Sequence, residues 1–327
     1  MILILTDRFD KHADRVIEIL RDQKRRYVRF NLDVESLKKT YLHHYNSNWQ
    51  IRTEDDSFNS TEVSTVWARR PFVELTLEEQ SNNSNDFKLW KAEWNKTLLG
   101  LYLDLNDIPW LNPVRKAYKA ENKYLQRKLA LSTGFKVPDL IVSNNKQEIL
   151  NFSNKHEKVV LKLMSQEFYT MDDGTFKGIY VNQVSNQELL EFNDTAENPI
   201  VLQEYIDKSY EVRYTIVGKE HLACRIESQK SEKTAIDWRR YDIPNTPHFP
   251  FDPPIEIKDK INDFMSTLEL EYGAMDFIVT PENEWYFLEI NCMGQWLWIE
   301  DLTGLSISTS IANWLISNSS CKGGEEK

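Results

Sequence analysis

The sequence predicts an α/β protein of two or three subdomains that opens on a small doubly wound domain. Three observations predict it. Residues 2–6, ILILT, read as a continuous apolar run of the kind found in parallel strands buried on both faces. A helix over 11–23, with Ala13, Val16, Ile17 and Leu20 on one stripe, and a second strand over 27–31 complete a β-α-β opening. Far downstream, residues 273–294 alternate and cluster apolar side chains around a Pro281-Glu282-Asn283 turn, as an antiparallel hairpin does. With 327 residues, 41% of them apolar, the chain can bury more than one core.

Composition narrows the function classes. No apolar run approaches the twenty or so residues that span a bilayer, and the apolar start is too short for a signal peptide. Cys224, Cys292 and Cys321 are widely spaced, which fits a reducing cytoplasm. A net charge of −11 argues against nucleic acid as the main partner. An acidic protein that binds phosphate or carboxylate must concentrate Arg and Lys locally.

Between the opening and the hairpin each element has its own signal. Residues 41–65 alternate weakly and are rich in Asn, Asp and Ser, fitting an edge hairpin or loops; His43-His44 within them reads as an exposed pair. The strand Val66-Trp67-Ala68 ends in Arg69-Arg70-Pro71. Such pairs bind carboxylate or phosphate at some strand ends, but a solvated surface pair is the more frequent outcome and is the expectation here. A helix over 85–105 carries Phe87, Trp90, Trp94, Leu98 and Leu101 on one face, a stripe that predicts core. Asn112-Pro113 marks the start of one further helix and Gly134 its end. Strands follow over 135–143, 158–164 and 199–205, with a short helix over 144–153. Lys162 lies inside the apolar run of 158–164, so it is either an edge-strand gatekeeper or a buried anion ligand. Residues 165–184, with Gly174 and Gly178, read as a mobile hairpin able to close over a ligand. A hairpin over 211–227 turns at Gly218-Lys219, with Arg213 and Arg225 on its faces. A helix over 255–271, a last helix over 305–317 and a polar, flexible tail over 319–327 complete the chain.

The hairpin of 273–294 carries the chemistry. Its strands, 274–280 and 284–290, run antiparallel, so Asp276 comes opposite Glu289 and Asn291. Glu289 and Asn291 are two residues apart and share a face. Two carboxylates and an amide oxygen form a hard-oxygen patch of the kind Mg²⁺ accepts, with water and phosphate completing its shell. A lone D…ExN is more often an ordinary acidic surface hairpin. Here Phe277, Ile278, Val279, Trp285, Phe287, Leu288 and Ile290 predict burial, and buried carboxylates need a partner or a metal.

The ordered set Lys162, Gln203-Glu204-Tyr205-Ile206, Glu211-x-Arg213 and Asp276…Glu289-x-Asn291 resembles the ATP-grasp ligases over roughly 112–316. Lys123, fifteen residues before Pro138, fits the same pattern. Val66-Trp67-Ala68-Arg69-Arg70-Pro71 and Asp237-Trp238-Arg239-Arg240 look like the graspetide (microviridin-type) branch, which closes ω-ester or ω-amide rings in ribosomal peptides. The segment 165–184 is poorer in glycine than many lids of that superfamily. The resemblance implies an ATP-grasp fold with a pre-ATP-grasp-like domain over 1–111, a central subdomain with lid over 112–206 and a metal-bearing subdomain over 207–318. It implies ATP and Mg²⁺ as cofactors: Lys123 and Lys162 on the α- and β-phosphates, Gln203, Glu204, Tyr205 and Ile206 at the adenine, Glu211 on the ribose, and Asp276, Glu289 and Asn291 on the metal. Arg213 with Arg239 or Arg240 would offset the repulsion between a substrate carboxylate and the γ-phosphate. The partner implied is a precursor peptide, with a leader and a core of Thr/Ser and Glu/Asp residues; a homodimer is compatible. A ligase adding free amino acids and a nucleotide-dependent peptide-binding module are the alternatives.

Overall fold

A computed structural model describes residues 1–162, 164, 168–170, 176–178, 181–191, 198–240 and 242–319. Strand β1 (Ile2–Thr6), helix α1 (Lys11–Asp22) and strand β2 (Tyr27–Asn31) form the expected β-α-β unit, with β1 and β2 parallel. Asp10 starts α1 by accepting from the His12 amide. After α2 (Val34–Lys38), the weakly alternating stretch forms a small antiparallel sheet of β3 (Tyr41–Tyr45), β4 (Asn48–Arg52) and β5 (Ser57–Asn59). Its first turn uses Asn46 and Ser47, both at positive φ, as a two-residue hairpin of right-handed twist requires. His43 and His44 are exposed, with His44 stacked on Trp49. Strand β6 (Thr65–Ala68) pairs with β1 in parallel, and after α3 (Leu77–Gln80) and α4 (Asn85–Asp104) the short β7 (Trp110–Leu111) closes the order β2-β1-β6-β7. Along α4 the predicted stripe divides: Leu98 and Leu101 are fully buried, whereas Phe87, Trp90 and Trp94 cover the rim of the same core.

The single helix expected after Asn112 is two, α5 (Val114–Ala120) and α6 (Lys123–Ser132), because Asn122 caps the second by accepting from Leu125 N. Gly134, at φ +79°, ends α6 as expected. Next come β8 (Leu140–Ser143), α7 (Lys146–Ser153), β9 (Val159–Lys162), β10 (Phe168–Thr170), β11 (Phe176–Gly178), β12 (Asn182–Val184), α8 (Asn186–Glu191) and β13 (Ile200–Glu204). They build an antiparallel sheet of order β12-β9-β13-β8, while β10 and β11 pair with each other. Strand β9 is therefore interior, which removes the edge-gatekeeper reading of Lys162. Half of the expected lid over 165–184 lies outside the described residues, as does the whole tail from 320.

The last unit is a five-stranded antiparallel sheet, β16-β15-β14-β17-β18, made from β14 (Tyr210–Val217), β15 (Glu220–Ile226), β16 (His248–Phe251), β17 (Tyr272–Val279) and β18 (Trp285–Asn291). Helix α9 (Ile255–Leu268) packs Ile261 and Phe264 onto one face, over Phe277 and Phe287. The predicted last helix is α11 (Ile307–Ser319), and a shorter helix outside the expected elements, α10 (Leu297–Thr303), precedes it and ends at Gly304, at φ +72°. Helix α11 lies against α1, so Ile2, Ile4 and Val16 share one apolar core with Ile311, Leu315 and the fully buried Trp296. The first domain is thereby seated on the end of the β17–β18 hairpin.

Asn112 makes that seating polar as well as apolar. It is buried, donates to Tyr272 O (2.8 Å) and Cys292 O (3.2 Å), and accepts from Glu271 N (2.8 Å) and Tyr272 N (2.9 Å). The side chain that the sequence suggested as a helix cap instead ties β17 and the residue after β18 to the segment that follows β7, and Pro113 stands at the cap position of α5 without a side-chain bond. Asn112→Ala strands several buried backbone groups, so it should lower the unfolding free energy by about 2–3 kcal/mol. A urea midpoint unchanged from the parent protein would show that water replaces these bonds at no cost.

Candidate active site

In the β17–β18 ladder Asp276 stands directly across from Glu289, and Ala274 across from Asn291. The register then slips between Asp276 and Phe277, whose partner is Phe287, leaving Leu288 as an extra residue. Strict alternation would turn Leu288 away from the side that Glu289 faces. The bulge instead lets both line one cleft, beside Ile278 and Val160. This slip is invisible in the sequence, where Leu288 reads as one more core residue.

Two carboxylates face each other here with almost no solvent, Asp276 at 7% and Glu289 at 4% exposure. Their charges are met by cations from separate elements. Arg213, the cross-strand neighbour of Asp276 on β14, reaches both its oxygens from Nη1 at 3.1 Å. Lys123, the first residue of α6, and Lys162, the last of β9, bring their ammonium groups to 3.0 and 3.7 Å from Glu289 Oε2. Burial works against the Glu289 charge, but Lys162 and Lys123 outweigh it and hold this carboxyl well below the usual range. Burial pushes Asp276 up; Arg213 opposes that, and the neighbouring charge of Glu289 adds to it. Arg239 enters from a 3₁₀ turn (Trp238–Arg240) and is gripped by Asp237 through Nε (2.9 Å) and Nη2 (2.8 Å). Asp237 also accepts from Val181 N, and its carboxyl is held low by Arg239 despite burial.

One cleft brings together Lys162, the Gln203–Ile206 segment, Glu211, Arg239, Asp276 and Glu289. The Glu204 carboxylate turns out of it to accept from Asp139 N at 3.0 Å, so this residue offers the cleft chiefly its backbone. Glu211 is buried, and burial pushes its carboxyl up although Lys208, 2.7 Å away, pulls in the other direction. Lys208 donates also to Ile236 O and lines the same cleft. A buried lysine after a polar Asp207 gave no periodic signal, and sequence reasoning passed over it.

A second cavity opens from the hairpin toward the first domain. It shares Trp238, Arg239, Asp276 and Glu289 with the cleft and adds Asn291 and Arg213. Arg69 and Arg70 lie on its wall, which corrects the expectation of a solvated pair. Arg69 is 5% exposed, donates to Met293 O and stacks over Trp296. Arg70 is half-buried and ion-paired to Asp7 and Glu74, each at 3.0 Å. Strand β6 ends at the joint between the domains, so the tertiary contact decides what the local sequence leaves open. Of the expected arginines, Arg213 and Arg239 reach this cavity. Arg240 does not: it donates to Val181 O and to Asn182 Oδ1 and braces β12.

The donor set fits a small hard cation. Glu289 Oε2 is buried and lacks an aligned hydrogen bond, because the nearby lysines act on it as point charges. Among the described residues no group of three His, Cys, Asp or Glu side chains could hold a metal ion. A cation at Asp276, Glu289 and Asn291 would therefore draw few ligands from the protein, as Mg²⁺ beside phosphates does.

A depressed carboxyl stabilises the fold above its unfolded pKa and ceases to as the pH falls through the folded one. The unfolded reference for Glu289 is 4.5. Glu289→Gln should therefore flatten the fall of the urea midpoint as pH drops below about 4.5. A profile that parallels the parent protein there would remove Glu289 as a titrating contributor.

The fold is shared with known proteins. Residues 1–118 match the family described as the MvdD pre-ATP grasp domain. Over 97% of this chain and 96% of the other, the structure is similar to a Chryseobacterium gregarium RiPP-associated ATP-grasp ligase solved with ADP and a leader and core peptide, at 30% identity and a TM-score of 0.87. The macrocyclase MdnC of Microcystis aeruginosa MRC, bound with precursor peptide MdnA, matches at 26% identity and a TM-score of 0.85, covering 97% of this chain and all of that one. MdnB from the same source matches at 27% and 0.76, covering 96% and 98%. No curated protein sequence matches the chain. With 30% identity over nearly the whole length of both chains, and the carboxylate hairpin, lysines and arginines at one site, the chain belongs to the RiPP-associated ATP-grasp ligases.

Proposed function

We propose that this protein is an ATP-dependent macrocyclase of a ribosomally made precursor peptide, forming ω-ester bonds between Glu/Asp side chains and Thr/Ser hydroxyls. Its cofactors are ATP and Mg²⁺. The observation that carries the reading is the continuity of the two cavities through Asp276, Glu289 and Arg239. A nucleotide in the cleft places its phosphates at Lys123 and Lys162, with its base along Gln203–Ile206 and its ribose toward Glu211. Asp276, Glu289 and Asn291 would hold Mg²⁺, which offsets phosphate charge during transfer. From the other cavity a substrate carboxylate oxygen attacks the γ-phosphorus, and ADP leaves. Arg213 and Arg239 lower the repulsion between the two anions. A hydroxyl then attacks the acyl carbon, inorganic phosphate departs and the hydroxyl proton is released, so the peptide loses one water per ring.

Support for the ester over the amide comes from what surrounds the acceptor. An amine arrives as a hydrated ammonium and needs a base to take its proton. The wall offers it four arginines, Arg69, Arg70, Arg213 and Arg239. Glu121, a further carboxylate there, already accepts from Cys292 N at 2.6 Å. A hydroxyl needs no such charge matching. The domain division expected at 111/112 and 206/207, the cytoplasmic setting and a homodimer belong to the same proposal; among the described residues no helix is long and apolar enough to cross a membrane.

Two outcomes test it. Asn291→Ala should keep the fold yet lower ADP production from MgATP and an acidic Thr/Glu peptide by about 100-fold or more, since a metal with few protein ligands tolerates no loss among them. Near-parental turnover would remove the metal assignment. The peptide product should show a loss of one water per ring by mass spectrometry and regain it in mild base; rings that survive base are amides.

A further inference from the structure

Arg69 and Arg70 leave β6 together but are held differently. Arg69 is spent on the architecture: its guanidinium donates to Met293 O and lies over Trp296. Two neighbouring carbonyls are taken in the same way, Gly294 O by Tyr272 Oη at 2.9 Å and Gln295 O by Arg213 Nη2 at 3.1 Å. The turn after Asn291 is thus clamped at three successive residues, one of the clamps coming from the first domain. Arg70 makes no contact of that kind. Its Nε faces Asp7 at 3.0 Å and Asp10 at 3.7 Å, its Nη1 donates to Glu74, and among the described residues its Nη2 donates to nothing.

The other cavity-lining arginines are more fully committed: Arg213 to Asp276 and Gln295 O, Arg239 to Asp237 through two nitrogens. The acids around Arg70 stand off the cavity wall, since Asp7, Asp10 and Glu74 do not line it while Arg70 does. They act as a bracket. Asp10 is 3% exposed, takes the Thr6 hydroxyl at 2.9 Å, and lies 3.4 Å from Arg69 Nε and 3.7 Å from Arg70 Nε. One buried carboxylate thus lies beside both guanidiniums, while Asp7 and Glu74 are the nearer partners of Arg70. Burial lowers the proton affinity of Arg69 but leaves a guanidinium charged at any physiological pH.

We infer that Arg70 receives a side-chain carboxylate of the peptide on the first-domain wall of the cavity, and that the acidic bracket behind it, Asp7, Asp10 and Glu74, aims it. This rests on the peptide-ligase reading and names a contact with substrate at a residue that the local sequence reading left in a surface pair. A planar guanidinium already bracketed by acids, with Nη2 left to donate and the side chain partly open to the cavity, suits an acidic side chain better than a lysine's point charge would.

The probe is glutarate, whose ends reproduce a Glu side chain, titrated in the presence of MgADP and followed by fluorescence of the tryptophans on the wall (Trp238 and Trp298). The parent protein should saturate, with the neutral glutaramide giving no signal. Arg70→Gln should weaken glutarate at least tenfold, and Arg70→Lys should recover only part of it. Asp10→Asn should weaken glutarate less than Arg70→Gln does, because the guanidinium remains but is aimed by one acid fewer. MgADP affinity, measured separately by calorimetry, should stay at the parental value in every variant. Glutarate binding by Arg70→Gln at parental strength overturns the inference, as does failure of the parent protein to bind glutarate. Failure of the parent protein to bind MgADP counts instead against the ligase reading. A variant that unfolds, seen by circular dichroism, is replaced in the comparison by Arg70→Lys, whose charge keeps the ion pairs and whose glutarate affinity must still fall.

Discussion

The structure depends on a costly contact, the apposition of Asp276 and Glu289 on neighbouring strands with almost no water between them and the protein. A buried carboxylate without a counter-charge is destabilising by several kcal/mol, and two facing each other are worse. The fold answers with cations delivered from four places in the chain: Lys123 on α6, Lys162 on β9, Arg213 on β14 and Arg239 on a 3₁₀ turn. Each must arrive for the pair to remain charged, so two sheets, the start of α6 and a 3₁₀ turn are bound to one another through the hairpin. The same cations are those a phosphate and a carboxylate would meet. Neutralising the hairpin and, on the proposed function, receiving the substrates would be two uses of one arrangement.

The joint between the first domain and the hairpin has the same double character. Trp296 is packed by residues of β1, α1 and α11, Asn112 bonds β17 and the residue after β18, and Arg69 holds Met293 O. These contacts fix the turn that follows Asn291. They also form the wall of the cavity in which a peptide side chain would meet the transferred phosphate. A rigid joint suits this chemistry, since phosphoryl transfer through a loose transition state asks for position and charge more than for a nucleophilic side chain.

What the sequence by itself determined is the local and ordered part. Its β-α-β opening, the apolar hairpin of 273–294 and the amphipathic helix before it are set by periodicity, and all three stand in the structure. The order of Lys162, Glu211, Arg213, Asp276, Glu289 and Asn291 was legible through its resemblance to the ATP-grasp ligases, and the patch of Asp276, Glu289 and Asn291 also from the alternation of strand side chains. Tertiary structure alone decided the rest. The bulge at Leu288 depends on how two strands register, not on either strand's pattern. Two helices replaced one at Asn122, because a cap interrupts a run whose composition still favours helix. Asn112 read as a helix cap, yet its amide is claimed by a hairpin some 160 residues away in the chain. Arg69 and Arg70 read as surface because solvation of a charged pair is the local default; only the docking of one domain on another removes the water and turns that pair into a wall. Periodicity reports which face of an element is buried, whereas the identity of what buries it is a long-range fact the local pattern does not carry.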